Sequence, residues 1–181
     1  MERDADVITT SAASATMVRS CRETDALRIC EIYNYFVADT VVTFEESAVS
    51  EGDMLERIRK VTSALPWLVC EDRGTVAGYA YAAPWHTRSA YRFSVESSIY
   101  LDRECRGRGI GTRLYSALLE ELRARGVHCV IGGIALPNAA SVALHEKLGF
   151  RKAGHVREVG WKLGRWVDVG YWQLLLGPAS A

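Results

Sequence analysis

The sequence predicts an α/β domain built on a mixed β-sheet with helices on both faces. Three observations point to it. Between residues 91 and 148, stretches of period two alternate with stretches of helical period, the pattern of strands that cross over through helices. Near both ends, strand-like runs are joined by tight-turn residues, which reads as hairpins. Finally, 181 residues with 49% hydrophobic and 24% charged side chains are the composition of one globular domain with a sizeable core.

The elements follow in chain order. Residues 1–15 are expected to be a flexible leader, 16–177 a single domain and 178–181 a short tail. Ala15 to Ser20 reads as a short strand. Thr24 or Asp25 can cap a helix whose apolar side runs Ala26, Cys30, Tyr33 and Val37. A second helix is expected from near Ser50, with Met54, Ile58 and Val61 on one side. Trp67 to Glu71 and Val76 to Ala83 read as strands joined by the turn Asp72-Arg73-Gly74. Tyr91 to Leu101 reads as a long strand, with Glu96 on the parity opposite Val95, Ser97 and Ile99. A helix follows with Leu114, Leu118 and Leu122 inward and Gly126 as its stop. Val127 to Leu136 is a strand broken by Pro137-Asn138, which opens a helix ending near Leu148. Strands near Phe150 to Val159 and Trp166 to Leu175 complete the sheet.

Charge and cysteine usage narrow the function. Lys plus Arg number 22 and Asp plus Glu 22, so there is no broad basic footprint for nucleic acid and no field drawing the chain to anionic membranes. The longest apolar stretch, Val76 to Trp85, is about half a membrane span. Residues 1–15 show no apolar signal-peptide core. Five cysteines, with no C-x-x-C pair, read as reduced thiols of a cytoplasmic protein, with no disulfide framework and no metal site.

An anion-binding feature stands out against this neutral background. Residues 106–112 read Arg-Gly-Arg-Gly-Ile-Gly-Thr, between a strand and a helix. Glycines allow tight turning and close approach, and the unpaired amides of a helix N-terminus favour an anion. Arg103, Arg106, Arg108 and Arg113 concentrate positive charge there. A P-loop would need Gly-Lys before Ser or Thr, and a dinucleotide fold needs G-x-G-x-x-G; neither is present.

The form R/Q-x-x-G-x-G/A after a long strand resembles the pyrophosphate loop of the GNAT acetyltransferases. The segment from Asn138 to Phe150, with His145, Lys147 and Gly149, resembles a second segment of that superfamily, in which a Tyr often stands where His145 does. Within GNAT, the chain resembles the phosphinothricin and methionine sulfoximine/sulfone N-acetyltransferases from about Met17 to Leu175. The resemblance is carried by Thr43-Phe44, Pro66-Trp67-Leu68-Val69, Pro84-Trp85 through Arg88 to Tyr91, Val95-Glu96-Ser97-Ser98-Ile99-Tyr100, Leu144-His145-Glu146 and the G-x-K-x-G-x-W-x-D pattern of Gly160 to Asp168.

The resemblance implies a GNAT fold, acetyl-CoA as cosubstrate, no metal, and acetyl transfer to the amino group of a small amino acid or analogue. Glu96 would be the general base and His145 would assist near the thiolate or the amine. Ile99, Tyr100 and Leu101 would meet the pantetheine arm through their backbone. Arg106, Gly107, Arg108, Gly109, Gly111 and Thr112 would hold the diphosphate, with Asn138 and Ser141 also on the coenzyme. Phe44, Arg88 and Tyr91 would line the acceptor pocket, together with His86, which stands where Lys or Arg is usual and so puts the preferred acceptor in question. A homodimer is also implied. The alternatives are acetylation of another amine, such as a protein N-terminus or a polyamine, or a non-catalytic acyl-CoA-binding module. Such a module would need neither Glu96 nor His145.

Overall fold

The computed structural model describes residues 16–177. Strand β1 spans Met17–Ser20, and helices α1 and α2 span Ala26–Asp39 and Glu51–Thr62. Strands β2 (Trp67–Asp72), β3 (Thr75–Pro84) and β4 (Ser94–Leu101) follow. Helix α3 (Ile110–Ala124), β5 (Cys129–Leu136), α4 (Ala139–Lys147), β6 (Arg151–Lys162) and β7 (Arg165–Leu175) complete the order. The expected leader 1–15 and tail 178–181, including Ala15, lie outside the described residues. No helix of the described residues is long and apolar enough to cross a membrane.

The strands form one seven-stranded sheet in the order β1-β2-β3-β4-β5-β7-β6. The predicted mixed sheet is therefore what the chain forms. Its apolar side chains divide into two layers. On one face, Leu114, Leu118 and Leu122 of α3 are fully buried against Val95, Val130 and Phe150. On the other, Ile29, Tyr33 and Phe36 of α1 and Met54 and Ile58 of α2 pack on Trp67, Val69 and Tyr79. Each large apolar side chain so buried contributes about 2 kcal/mol.

Caps and turns place the helices. Ser50 caps α2, its hydroxyl accepting from the Asp53 amide at 3.1 Å, and Asn138 caps α4 by accepting from the Ser141 amide at 3.1 Å. Asp25 occupies the N-cap position of α1, but its carboxylate turns back to the Arg22 amide at 2.7 Å and to the Arg19 guanidinium at 2.7 and 2.9 Å. The expected cap of α1 is thus spent on tying the helix entry to β1.

Two strands differ from expectation. The strand expected to begin at Tyr91 begins at Ser94, because Ser89–Tyr91 winds into a 3-10 turn whose Arg92 amide donates to the Ser89 carbonyl at 3.1 Å. Strand β6 runs on to Lys162 through an irregularity between Val156 and Gly160, where Glu158 takes φ 48°. Asp168 supports that bulge, accepting from the Glu158 amide at 2.8 Å and pairing with His155 Nε2 at 2.7 Å.

Candidate active site

The sheet carries an open seam. β4 and β5, the one parallel pair among the described strands, are paired only at Ser94, Val95 and Glu96. β4 continues to Leu101 while remaining paired with β3 on its other side, and β5 continues to Leu136 paired with β7. Residues 97–101 thus present backbone groups toward a strand that has moved away. Buried backbone donors and acceptors need partners. An extended ligand carrying amides fits this edge, as an added strand would. The seam is narrow, a cleft of about 50 Å³, and Ser98, Ile99, Tyr100, Ile134, Asn138 and His145 are among its walls. A roomier cavity of about 440 Å³ lies away from it, beside α1, between Tyr35 and Arg103. Within it the Arg28 guanidinium bridges Glu31 and Asp102.

One end of the seam is the glycine loop. Gly107 and Gly109 adopt φ +74° and +76°, a left-handed backbone that other residues rarely tolerate. The first amide of α3 to bond within the helix is that of Arg113, to the Gly109 carbonyl at 3.1 Å. The amides of Ile110, Gly111 and Thr112 precede it and lack intrahelical partners. Gly111 is buried, and a Cβ there would sit 3.1 Å from Leu101 and 3.4 Å from Leu144.

The basic cluster differs from the expected one. The Arg108 guanidinium is turned onto Asp72 at 2.8 Å, and Arg113 donates to the Thr16 carbonyl at 2.7 Å. Arg106 lies over the rings of Tyr35 and Phe36 at 5.8 and 5.6 Å, and Arg103 over Tyr35 at 5.4 Å. Lys147 of α4, not foreseen as part of the cluster, brings its ammonium to 3.4 Å from the Thr112 hydroxyl in the first turn of α3.

Glu96 and His145 stand on opposite sides of the sheet. Their positions are fixed by two consecutive glycines of β5, whose Cβ directions alternate. A Cβ at Gly132 would collide with Nε2 of His145, and one at Gly133 would lie 3.1 Å from the Glu96 carboxylate and 3.6 Å from the Tyr171 ring. His145 is therefore on the α3/α4 side and Glu96 on the α1/α2 side.

The surroundings of the two groups contrast. Glu96 accepts no side-chain hydrogen bond among the described residues. Burial raises its pKa, an effect partly offset by His86. His145 is 3% exposed and fully engaged. Its Nδ1–H donates to the Ser141 carbonyl at 2.8 Å, so neutral Nε2 is the acceptor, 3.0 Å from the Tyr115 hydroxyl. Tyr115 in turn meets the Ser97 hydroxyl at 2.7 Å. Burial lowers the pKa of His145. Tyr115 and Ser97 were not singled out from the sequence as partners of His145.

Of the remaining expected residues, His86 lies close enough to Glu96 to offset part of its raised pKa. The His86 ring packs between Trp85 and Tyr91, with centroids 4.9 Å from each, and Trp85 meets Tyr171 at 5.9 Å. Arg88 is exposed at the start of the 89–91 turn. The Phe44 ring stands over Gly160 of β6. Asn138 and Ser141 lie at the α4 end of the seam.

An open parallel seam, a helix terminus with free amides at one end and a half-buried carboxylate beside it suit an acyl-transfer protein that takes an extended, phosphate-bearing coenzyme. Comparison with known proteins makes this specific. Residues 29–150 match the acetyltransferase (GNAT) family, and the chain belongs to that family. It is 38% identical to a phosphinothricin N-acetyltransferase of Streptomyces viridochromogenes over 86% of this chain and 85% of that protein. It is 35% identical to an L-methionine sulfoximine/L-methionine sulfone acetyltransferase of Salmonella typhimurium over 91% of this chain and 96% of that one. The crystal structure of a GNAT phosphinothricin acetyltransferase from Sinorhizobium meliloti in complex with acetyl-CoA superposes with a TM-score of 0.88, at 40% identity, covering 91% of this chain and 90% of that chain.

Proposed function

We propose that this enzyme transfers the acetyl group of acetyl-CoA to the amino group of a small amino acid or analogue, of the phosphinothricin, methionine sulfoximine or methionine sulfone type. The observation that carries the reading is the unpaired edge of β4 with Glu96 beside it. Relatives across nearly the whole length that are named for these acceptors support it. The residues fit the coenzyme. Free backbone along Ile99, Tyr100 and Leu101 suits the amides of a pantetheine arm. The left-handed glycines and free amides of 107–112 suit a diphosphate, with Arg106 and Lys147 as the cations and Asn138 and Ser141 at the seam wall.

The chemistry follows from the contrast around the seam. An amine must lose its proton before it attacks a thioester. Glu96, raised toward neutrality by burial, accepts that proton directly or through water. Negative charge growing on the carbonyl oxygen meets a free β4 amide. Holding amine and thioester in one narrow seam supplies much of the rate. On the other wall, His145 gains a proton at Nε2 only by displacing the Tyr115 donor. It therefore serves the thiolate side as an oriented neutral group. Arg88, with Tyr91, Phe44 and His86, takes the acidic end of the acceptor.

We also propose that residues 16–177 work as one catalytic unit in a cytoplasmic homodimer. The exposed Trp161 and Trp166, packed on each other at 5.1 Å, support a second copy on the β6–β7 hairpin.

The test is thiol release from acetyl-CoA with a panel of amines: phosphinothricin, methionine sulfoximine, methionine sulfone, a polyamine and an N-terminal peptide. Release with the first three above the common amino acids is expected. Release only with the polyamine or the peptide would replace the acceptor assignment, and release with none would leave an acyl-CoA-binding module.

A further inference from the structure

The segment Gly160 to Asp168, the most specific motif in the sequence, has no part in the chemistry above. The structure assigns it one. Gly160 and Lys162 lie two apart on β6 and so share a face. A Cβ at Gly160 would collide with the Phe44 ring. Lys162 is 2% exposed, and its ammonium donates to the carbonyls of Thr43 at 2.8 Å and Phe36 at 3.4 Å. No carboxylate pairs with it among the described residues. Burying an ammonium is costly unless its protons find acceptors. One acceptor lies in the last turn of α1, where the helix dipole favours a cation. A methionine would fill the same space without that cost, so the charge is kept for where it points.

Its shorter bond, to Thr43, points at one short segment. Residues 40–46 leave α1 and cross to the seam. Val41 packs on Ala135 and Val167, Val42 lines the seam, and the Thr43 hydroxyl meets Tyr33 at 2.8 Å. Phe44 is held at 39% exposure over Gly160.

We propose that Gly160 and Lys162 are positioning residues for the amine acceptor. Together they clamp residues 40–46 across β6, so that Val42 walls the seam and Phe44 is presented to the acceptor at a fixed height. The size of the residue at 160 then sets how bulky an acceptor side chain fits. The inference rests on the acceptor pocket proposed above.

Two measurements on the full chain test it separately from that reading. The first is hydrogen exchange of the 41–46 amides in Lys162→Met and Gly160→Ala, which needs no substrate. Exchange at least about tenfold faster than in the parent chain is expected, with α3 unaffected. Unchanged exchange in both variants overturns the clamp. The second is steady-state kinetics with methionine sulfone. Gly160→Ala is expected to raise the acceptor KM about tenfold, with kcat and the acetyl-CoA KM within about twofold of the parent. In a Phe44→Ala background the same substitution should have no further effect, because the colliding ring is gone. Additive effects, or an acetyl-CoA KM that rises with the acceptor KM, overturn the positioning role. A parent chain that acetylates no amine defeats the functional reading instead, and exchange alone then decides the clamp.

Discussion

On the α3/α4 side of the seam, His145 is sealed in a closed chain of hydrogen bonds from Ser97 through Tyr115 to Ser141. On the α1/α2 side, Glu96 is half-buried, has no hydrogen-bond partner among the described residues and is held above the ordinary carboxylate pKa. The first wall is complete before any substrate arrives. On the second, burial disfavours the ionised carboxylate and His86 offsets part of that effect. An unpartnered, half-buried carboxylate and a fully hydrogen-bonded imidazole thus face each other across one sheet, and a perturbed carboxylate of this kind is the stronger candidate for proton transfer.

The sharpest way to break this comparison is Glu96→Gln. Turnover is expected to fall by about 10²–10⁴, with acetyl-CoA affinity unchanged, as for loss of a general base. The parent kcat/KM should decline on acidification at a pH above the ordinary value of 4.5, because the base must be ionised and its pKa is raised. Stability should move the other way. A carboxyl whose folded pKa exceeds its unfolded one binds more protons when folded. Its penalty is absent below the unfolded pKa and complete above the folded one. Glu96→Gln should therefore raise Tm at neutral pH. An unchanged kcat or a lowered Tm in thermal melts would contradict the picture of an unrelieved base.

Arg88→Ala probes the same wall with a smaller effect. Arg88 is exposed at the start of the 89–91 turn, and its proposed part is to hold the acceptor. Its loss should raise the acceptor KM about tenfold while kcat and acetyl-CoA binding stay near the parent values. A rise confined to the acetyl-CoA KM would move Arg88 to the coenzyme wall.

The two walls also differ in how far sequence alone reveals them. The glycine loop is legible because what it needs is local: left-handed glycines, a helix start and its free amides lie within a few residues. Glu96 is legible by strand parity, since alternation places it opposite Val95. What is not legible depends on distant pairings. The Arg108 guanidinium is turned onto Asp72 of β2, and Lys147 meets Thr112 from 35 residues away in the chain. The bond from Lys162 to Thr43 spans 119 residues, so the motif around Lys162 can be seen without its purpose. Tyr91 falls in a turn and not in the strand, because local 3-10 hydrogen bonding overrides the period of two. For Arg108, Lys147 and Lys162 a single long-range contact sets where the side chain lies, whereas for Tyr91 a contact three residues away does.

The smallest effect, and the finest test of the sealed wall, is Tyr115→Phe. The ring remains, but the donor to His145 Nε2 is lost. Ser97 can still donate to the Ile131 carbonyl at 3.3 Å, so the unsatisfied atom is on the imidazole alone. Leaving one buried acceptor unpaired costs about 1–3 kcal/mol, and Tm should fall accordingly. The Tyr115 hydroxyl bonds to the neutral form of His145, so its removal also makes the imidazole easier to protonate. The acid limb of kcat should then shift upward in pH, while kcat at its plateau falls only about two- to fivefold. A lower Tm with an unshifted pH profile would mean that the hydrogen-bond chain only packs the core. Glu96→Gln and Tyr115→Phe are thus expected to move Tm in opposite directions, because one removes a charge left unrelieved and the other removes a partner from a group already satisfied.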